Sequence, residues 1–238
     1  MIVNRELLKG WSHHLGREME LLWFGHAGIP AILFPTSMAR YYEVEDFGLI
    51  GGLRHKIEAG LVQAVCVDSV ATESWYNKRV HPAVRRMRHE QYDAYLHHEL
   101  VPYIRHRTQR NDLAVYGASF GAYQAMNFAC RYPGEVTKSI TFSGVYDIHD
   151  FLDGHWDDGC YFNCPTAYVP NMDEENARRL SQVQFVIATG EHDTLVEANR
   201  HFAGMLAGKG VPVHCEIWPG QFGHDWPWWI GNLPRFLP

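Results

Sequence analysis

The sequence predicts an α/β fold: a mainly parallel β-sheet with helices on both faces and an antiparallel edge near the N-terminus. Three observations carry this expectation. Short apolar runs alternate with longer segments of helical periodicity, the pattern of buried parallel strands joined by crossover helices. Two of the first apolar runs are separated only by Gly25-His26-Ala27-Gly28-Ile29-Pro30, a connection of hairpin length. A chain of 238 residues, 46% of them hydrophobic, can bury one stable core without disulfides or metal. A single domain over residues 1–238 is expected, with a short loop-rich insertion at about 145–171.

The elements follow in order. Residues 19–24 and 31–34 are read as the antiparallel edge strands. Phe47, Ile50, Leu53 and Ile57 recur at helical spacing before Gly60, and residues 61–67 form the next strand. Residues 82–107 make a long charged helical segment, expected to break near Pro102. A strand at 113–116 precedes a helix at 120–131 that Pro133-Gly134 stops. Residues 139–142, 184–189 and 213–218 complete the strands. A helix over 195–207 ends at Gly208 and Gly210, and a last helix follows Asp225. Residues 145–171, rich in Asp, Gly, Tyr and Asn, show weak periodicity and are read as a long loop, which usually has a functional reason.

Composition removes several function classes. A net charge of -6 argues against a nucleic-acid partner, because phosphate binding rests on clustered Lys and Arg. No stretch approaches the roughly 18 apolar residues needed to span a bilayer, so no membrane partner is expected. The N-terminal Met1-Ile2-Val3-Asn4-Arg5-Glu6-Leu7-Leu8-Lys9 lacks a basic segment followed by an apolar one, and a cytoplasmic location is expected. Of the five Cys, only Cys160 and Cys164 are close, as C-x3-C without a second pair, so neither metal nor cofactor is expected.

Chemistry concentrates at Gly117-Ala118-Ser119-Phe120-Gly121, which runs from an apolar strand directly into a helical segment. This G-x-S-x-G in strand–turn–helix context is a nucleophile elbow: the Ser occupies a strained turn, and the flanking Gly residues let strand and helix cross without Cβ clashes. A serine hydroxyl is a poor nucleophile unless a base, itself oriented by a carboxylate, accepts its proton. Downstream, Gly190-Glu191-His192-Asp193 follows a strand, and Gly223-His224-Asp225-Trp226 follows the last one. Ser119, Asp193 and His224 thus arrive at one sheet edge, the edge where open α/β sheets bind ligands. Among fifteen His, His201 and His214 fall inside elements, His13, His14, His97 and His98 precede the elbow, and His192 adjoins the acid. His224 is the expected base. Asp193 is the preferred acid, with Asp147, Glu191 and Asp225 as alternatives.

With these residues in this order the chain resembles the α/β-hydrolase superfamily, and within it the group of esterases that includes esterase D-like and mycolyltransferase-like proteins. The resemblance implies the α/β-hydrolase fold over nearly the whole chain. The loop after residue 34, Pro35-Thr36-Ser37-Met38-Ala39-Arg40, departs from the His-Gly or Asp-Gly of many relatives. Acyl transfer needs two preorganised N–H donors for its oxyanion. The Phe120 amide should supply one, and Ser37, or else Met38, the other.

About forty residues between the strands at 139–142 and 184–189 are too few for a large cap, which implies an open site. The expected activity is hydrolysis of small or short-acyl carboxylic esters, with an acyltransferase or a non-catalytic binding protein on the same fold as alternatives. Trp75, Tyr76, Trp156, Tyr161 and Trp226 are candidate rim residues for a small-molecule ester, and each could equally be core. Trp226, Trp228, Trp229 and Phe236 offer either a buried helix face or a homodimer patch.

Overall fold

The computed structural model describes residues 4–220 and 223–238. Strands β1 (Arg5–Ser12), β2 (Arg17–Phe24) and β3 (Ile29–Phe34) lead into three short helices, α1 (Glu43–Asp46), α2 (Leu49–Gly52) and α3 (Arg54–Glu58). β4 (Val62–Val67) is followed by α4 (Pro82–Tyr95) and α5 (Val101–Thr108), then β5 (Ala114–Ala118), α6 (Phe120–Arg131) and β6 (Lys138–Phe142). Short helices α7 (Asp158–Tyr161), α8 (Pro165–Tyr168) and α9 (Glu174–Leu180) precede β7 (Gln184–Gly190), α10 (Val196–Gly208), β8 (Val213–Trp218) and α11 (Trp226–Phe236).

The eight strands form one sheet in the order β1-β2-β4-β3-β5-β6-β7-β8. From β4 to β8 every pairing is parallel, while β1–β2 and β2–β4 are antiparallel. Alternation along each strand feeds two cores. Ile32 and Phe34 join Val115 and Ile187 beneath α4, α5, α6 and α10. Ala31 and Leu33 join Tyr116, Ile140 and Phe142 beneath α1–α3 and α11. The expected α/β architecture with helices on both faces is therefore present. Among the described residues no helix is long and apolar enough to cross a membrane.

Several local expectations need correction. The antiparallel edge exists, but β2 and β3 do not form a hairpin: β4 lies between them. The connection passes so close to the start of β4 that a Cβ on Gly28 would sit 2.0 Å from the Leu61 carbonyl carbon, and Gly28 has φ +93°. Its glycine permits a crossover where a short loop suggests a turn. β1 carries no apolar alternation because both of its faces are largely exposed, and its register comes from β2. The segment 82–107 does not break at Pro102. A π-helical turn at Leu96–Leu100 joins α4 to α5, widening the backbone where the proline lacks an N–H and its ring would meet the preceding turn. Residues 145–171 are a chain of short helical turns rather than open loop. Their Ile148, Leu152, Cys160 and Cys164 are buried against Ala71, Trp75, Phe120 and Tyr123 in a third core.

Candidate active site

The turn that carries Ser119 is shaped by two glycines. A Cβ on Gly117 would lie 2.0 Å from the Gly121 carbonyl oxygen, and one on Gly121 would lie 2.6 Å from the Pro35 carbonyl oxygen. Only hydrogen fits at either point, so β5 can turn immediately into α6 and the loop after β3 can rest on the first turn of that helix. Ser119 takes up the bend with φ +55° and ψ −122°, a conformation that costs a non-glycine residue stability. Its amide is tied to the Phe142 carbonyl of β6 at 3.0 Å.

The ends of β7 and β8 bring the other two side chains in. His224 Nε2 lies 3.1 Å from Ser119 Oγ, and His224 Nδ1 lies 3.2 and 3.3 Å from Asp193 Oδ2 and Oδ1. The Asp193 side chain is fully buried, while His224 keeps 38% of its side-chain surface open to solvent. Burial would raise the Asp193 carboxyl, but hydrogen bonding from His224, the Leu195 amide and the Ser143 and Thr189 hydroxyls outweighs it and pulls it down to about 2. Asp193 is thus held as a carboxylate behind the imidazole. The competing carboxylates are engaged elsewhere: Asp147 with His149 and Thr166, Glu191 with the Gly220 amide, and Asp225 as the cap of α11.

The Phe120 amide opens α6, where helical bonding leaves the first N–H groups without an acceptor and the helix dipole adds positive potential. Beside it, the Tyr76 hydroxyl donates to Ser37 Oγ at 2.8 Å, and the Tyr76 ring meets Phe120 edge-on at 5.0 Å. Thr36 is bound to Glu43 through both its amide and its hydroxyl, which fixes the start of this loop. Met38 is exposed and has φ +59°.

The five aromatic candidates separate. Tyr76 bridges Ser37 and Phe120. Trp226 stacks on Phe47 at 4.7 Å and meets Trp229 at 5.2 Å, while Trp229 in turn meets the His224 ring at 5.6 Å. Trp156 is exposed and stacks on His149 at 4.5 Å. Two expectations fail. Trp75 is fully buried against His89 and Tyr123, so it is a core residue and not part of a rim. Tyr161 lines a cavity of about 530 Å³ with Arg131 and Tyr132 at the other end of α6. At 1.5 Å rise per residue that end is roughly 18 Å from Ser119. The C-terminal aromatics form a helix face: Trp229 is buried in the core under α11, with Trp228 and Phe236 packed against it. Nothing in the sequence points to Thr189 or to the role of Trp229, because neither carries a motif and both act through tertiary contact.

Two groups of possible metal ligands occur among the described residues, Asp147 with His149 and Cys164, and His155 with Asp157 and Cys160. Both lie in the 145–171 segment. In each, the carboxylate already accepts hydrogen bonds from its neighbours, and Arg86 stands beside Asp157.

A strained Ser at a strand-to-helix turn, within reach of a His backed by a buried carboxylate, defines the class of serine hydrolases on the α/β-hydrolase fold. Comparison with known families narrows this. The family model described as "Putative esterase" matches residues 52–238, and the chain belongs to that family. The protein is accordingly a hydrolase of carboxylic ester bonds. No curated protein sequence matches it. Solved structures similar to it include a ferulic acid esterase, at 19% identity over 99% of this chain and 96% of that one with TM-score 0.79. An S-formylglutathione hydrolase from Staphylococcus aureus is 17% identical over 98% and 94% with TM-score 0.70. A ferulic acid esterase from Anaeromyces mucronatus is 13% identical over 98% and 89% with TM-score 0.71.

Proposed function

We propose that the protein hydrolyses small or short-acyl carboxylic esters through an acyl-enzyme on Ser119, with His224 as base and Asp193 as its orienting carboxylate. The observation that carries this reading is the line of contacts from Ser119 Oγ to His224 Nε2, and from His224 Nδ1 to Asp193. Ser119 Oγ attacks the ester carbonyl while His224 Nε2 takes its proton. The carbonyl oxygen becomes an oxyanion, received by the Phe120 amide and a donor of the loop after β3, Ser37 or its neighbour Met38. Collapse breaks the bond to the alcohol, which leaves with the proton from His224 Nε2. Water then repeats the sequence: it gives its proton to His224, attacks the acyl carbon and releases the acid, and the proton returns to Ser119.

The preference for small acyl groups rests on the form of the 145–171 segment, which packs inward as short turns rather than standing over the site as a cap. Trp226, two residues beyond His224 and stacked on Phe47, offers an apolar surface linked to the His224 ring through Trp229. Among the similar structures, one is named for the formyl group and one for ferulic acid, and neither name is that of a long alkyl acyl group.

The test is pre-steady-state hydrolysis of p-nitrophenyl esters from acetate to palmitate. A burst of one nitrophenolate per protein with acetate or butyrate, absent in Ser119→Ala, is expected. Absence of a burst together with unchanged turnover in Ser119→Ala would remove the mechanism, and fastest turnover on palmitate would remove the substrate class.

A further inference from the structure

The imidazole of His224 is carried by a loop, so its place against Ser119 depends on what holds the residue before it. Gly223 packs against the end of β7 so closely that a Cβ there would lie 2.3 Å from the Gly190 amide nitrogen, and its φ is +70°. That approach fixes one side of the loop. The other side is fixed by the Gly223 carbonyl, which accepts two hydrogen bonds: from Ser143 Oγ at 2.7 Å and from Trp229 Nε1 at 3.0 Å. Trp229 Nε1 also lies 3.1 Å from Ser143 Oγ, which on its other side lies 3.3 Å from the Thr189 hydroxyl that donates to Asp193, so the cluster reaches both the Gly223 carbonyl and the carboxylate. All of it is buried: Ser143 is 0% exposed and Trp229 3%.

Ser143 is placed for this. It directly follows Phe142, whose carbonyl holds the Ser119 amide, and its own amide is bound to the Ala188 carbonyl of β7. It adopts φ +50°, a left-handed backbone that a serine tolerates poorly. From this backbone its hydroxyl reaches the Gly223 carbonyl of the His loop, and strain of this kind persists where surrounding structure over-determines it. The Trp229 ring adds an edge contact with the His224 ring at 5.6 Å.

We infer that Ser143 and Trp229 are positioning residues that clamp the Gly223 carbonyl and so hold the His224 imidazole between Ser119 and Asp193. The clamp rests on the Ser–His–Asp reading given above, and it adds that the base is set from the residue just after β6 and from α11, neither of which carries a triad residue. Without the two donors the buried carbonyl loses its partners and the loop can shift. A displacement of about 1 Å at a catalytic group can cost about 100-fold in rate while leaving substrate contacts alone.

The experiment measures Ser143→Ala, Trp229→Phe and the double variant with p-nitrophenyl acetate. The concentration of competent sites is counted in each by fluorophosphonate labelling carried to completion, and melting temperature is recorded alongside. Expected is a fall of about 10- to 100-fold in kcat per labelled site, with KM within about threefold of wild type. The double variant should lose little more than the worse single one, because the pair acts on one carbonyl. A residue that served folding alone would lower the melting temperature and the number of labelled sites without changing kcat per site. Ser143→Ala and Trp229→Phe both within twofold of wild type per labelled site would overturn the clamp. If Trp229→Phe does not fold, Ser143→Ala decides alone. Wild-type protein that neither labels nor turns over would instead defeat the triad reading, so the two failures are distinguishable.

Discussion

Replacing Asp193 by Asn tests the arrangement at its most sensitive point, because the structure dictates which way the new amide must lie. In the native site Oδ1 accepts the Leu195 amide at 2.8 Å and Oδ2 accepts the Thr189 hydroxyl at 2.8 Å, while His224 Nδ1 faces both. A backbone N–H cannot turn around, so the Asn oxygen must stay with Leu195 and the NH2 group must take the position of Oδ2. There it can donate to Thr189, whose hydroxyl rotates to accept, and to His224 Nδ1 at about 3.2 Å. Nδ1 also lies 3.3 Å from the retained oxygen, but an NH2 group aimed at it disfavours a proton there, so the neutral imidazole places its hydrogen on Nε2, facing Ser119. It then cannot take the serine proton. The expected cost is about 10,000-fold in kcat, or ~5.5 kcal/mol in the barrier. The assay is p-nitrophenyl acetate hydrolysis at pH 7 per folded protein. The control Asp147→Asn, whose partners His149 and Thr166 do not include His224, should stay within about threefold. A loss under tenfold in Asp193→Asn, or a larger one in Asp147→Asn, would refute the reasoning.

The same carboxylate predicts how stability depends on acid. Its pKa of about 2 in the fold, against an ordinary 3.8, corresponds to about 2.5 kcal/mol of stability. A depressed carboxyl contributes fully above the unfolded value and loses its contribution as pH falls from about 4 through 2, so urea melts of wild type and Asp193→Asn should converge over that interval. A gap that stays constant from pH 6 to pH 2.5 would count against it. Gly117→Ala forces a Cβ to within 2.0 Å of the Gly121 carbonyl oxygen and should cost about 3 kcal/mol or more by denaturant titration; an unchanged midpoint would show that the crossing is looser. Tyr76→Phe removes the hydroxyl that holds Ser37 and should lower kcat about tenfold, at about 1 kcal/mol of stability. An unchanged kcat would detach this loop from the chemistry.

What the sequence revealed was local. The tight turn at Ser119 could be read because Gly117, Ser119 and Gly121 meet steric demands within five residues, and the loops that carry Asp193 and His224 because each directly follows an apolar strand. Strand order could not, since β2 and β3 are close in sequence yet are separated in the sheet by β4, sixty residues into the chain. Aromatic side chains were equally opaque: adjacent residues Trp75 and Tyr76 point one into the core and the other to Ser37, and only tertiary packing separates them. The Gly223 carbonyl and its Ser143 donor are joined across 80 residues, and no spacing rule reaches that far.

The central claim is that Ser119 is the nucleophile, and mapping a covalent adduct tests it most directly. Intact protein is treated with a fluorophosphonate, digested and sequenced by mass spectrometry. One adduct per chain is expected, on Ser119, absent from Ser119→Ala and slow to form in His224→Ala. An adduct on another residue, or none on correctly folded wild-type protein, would contradict it.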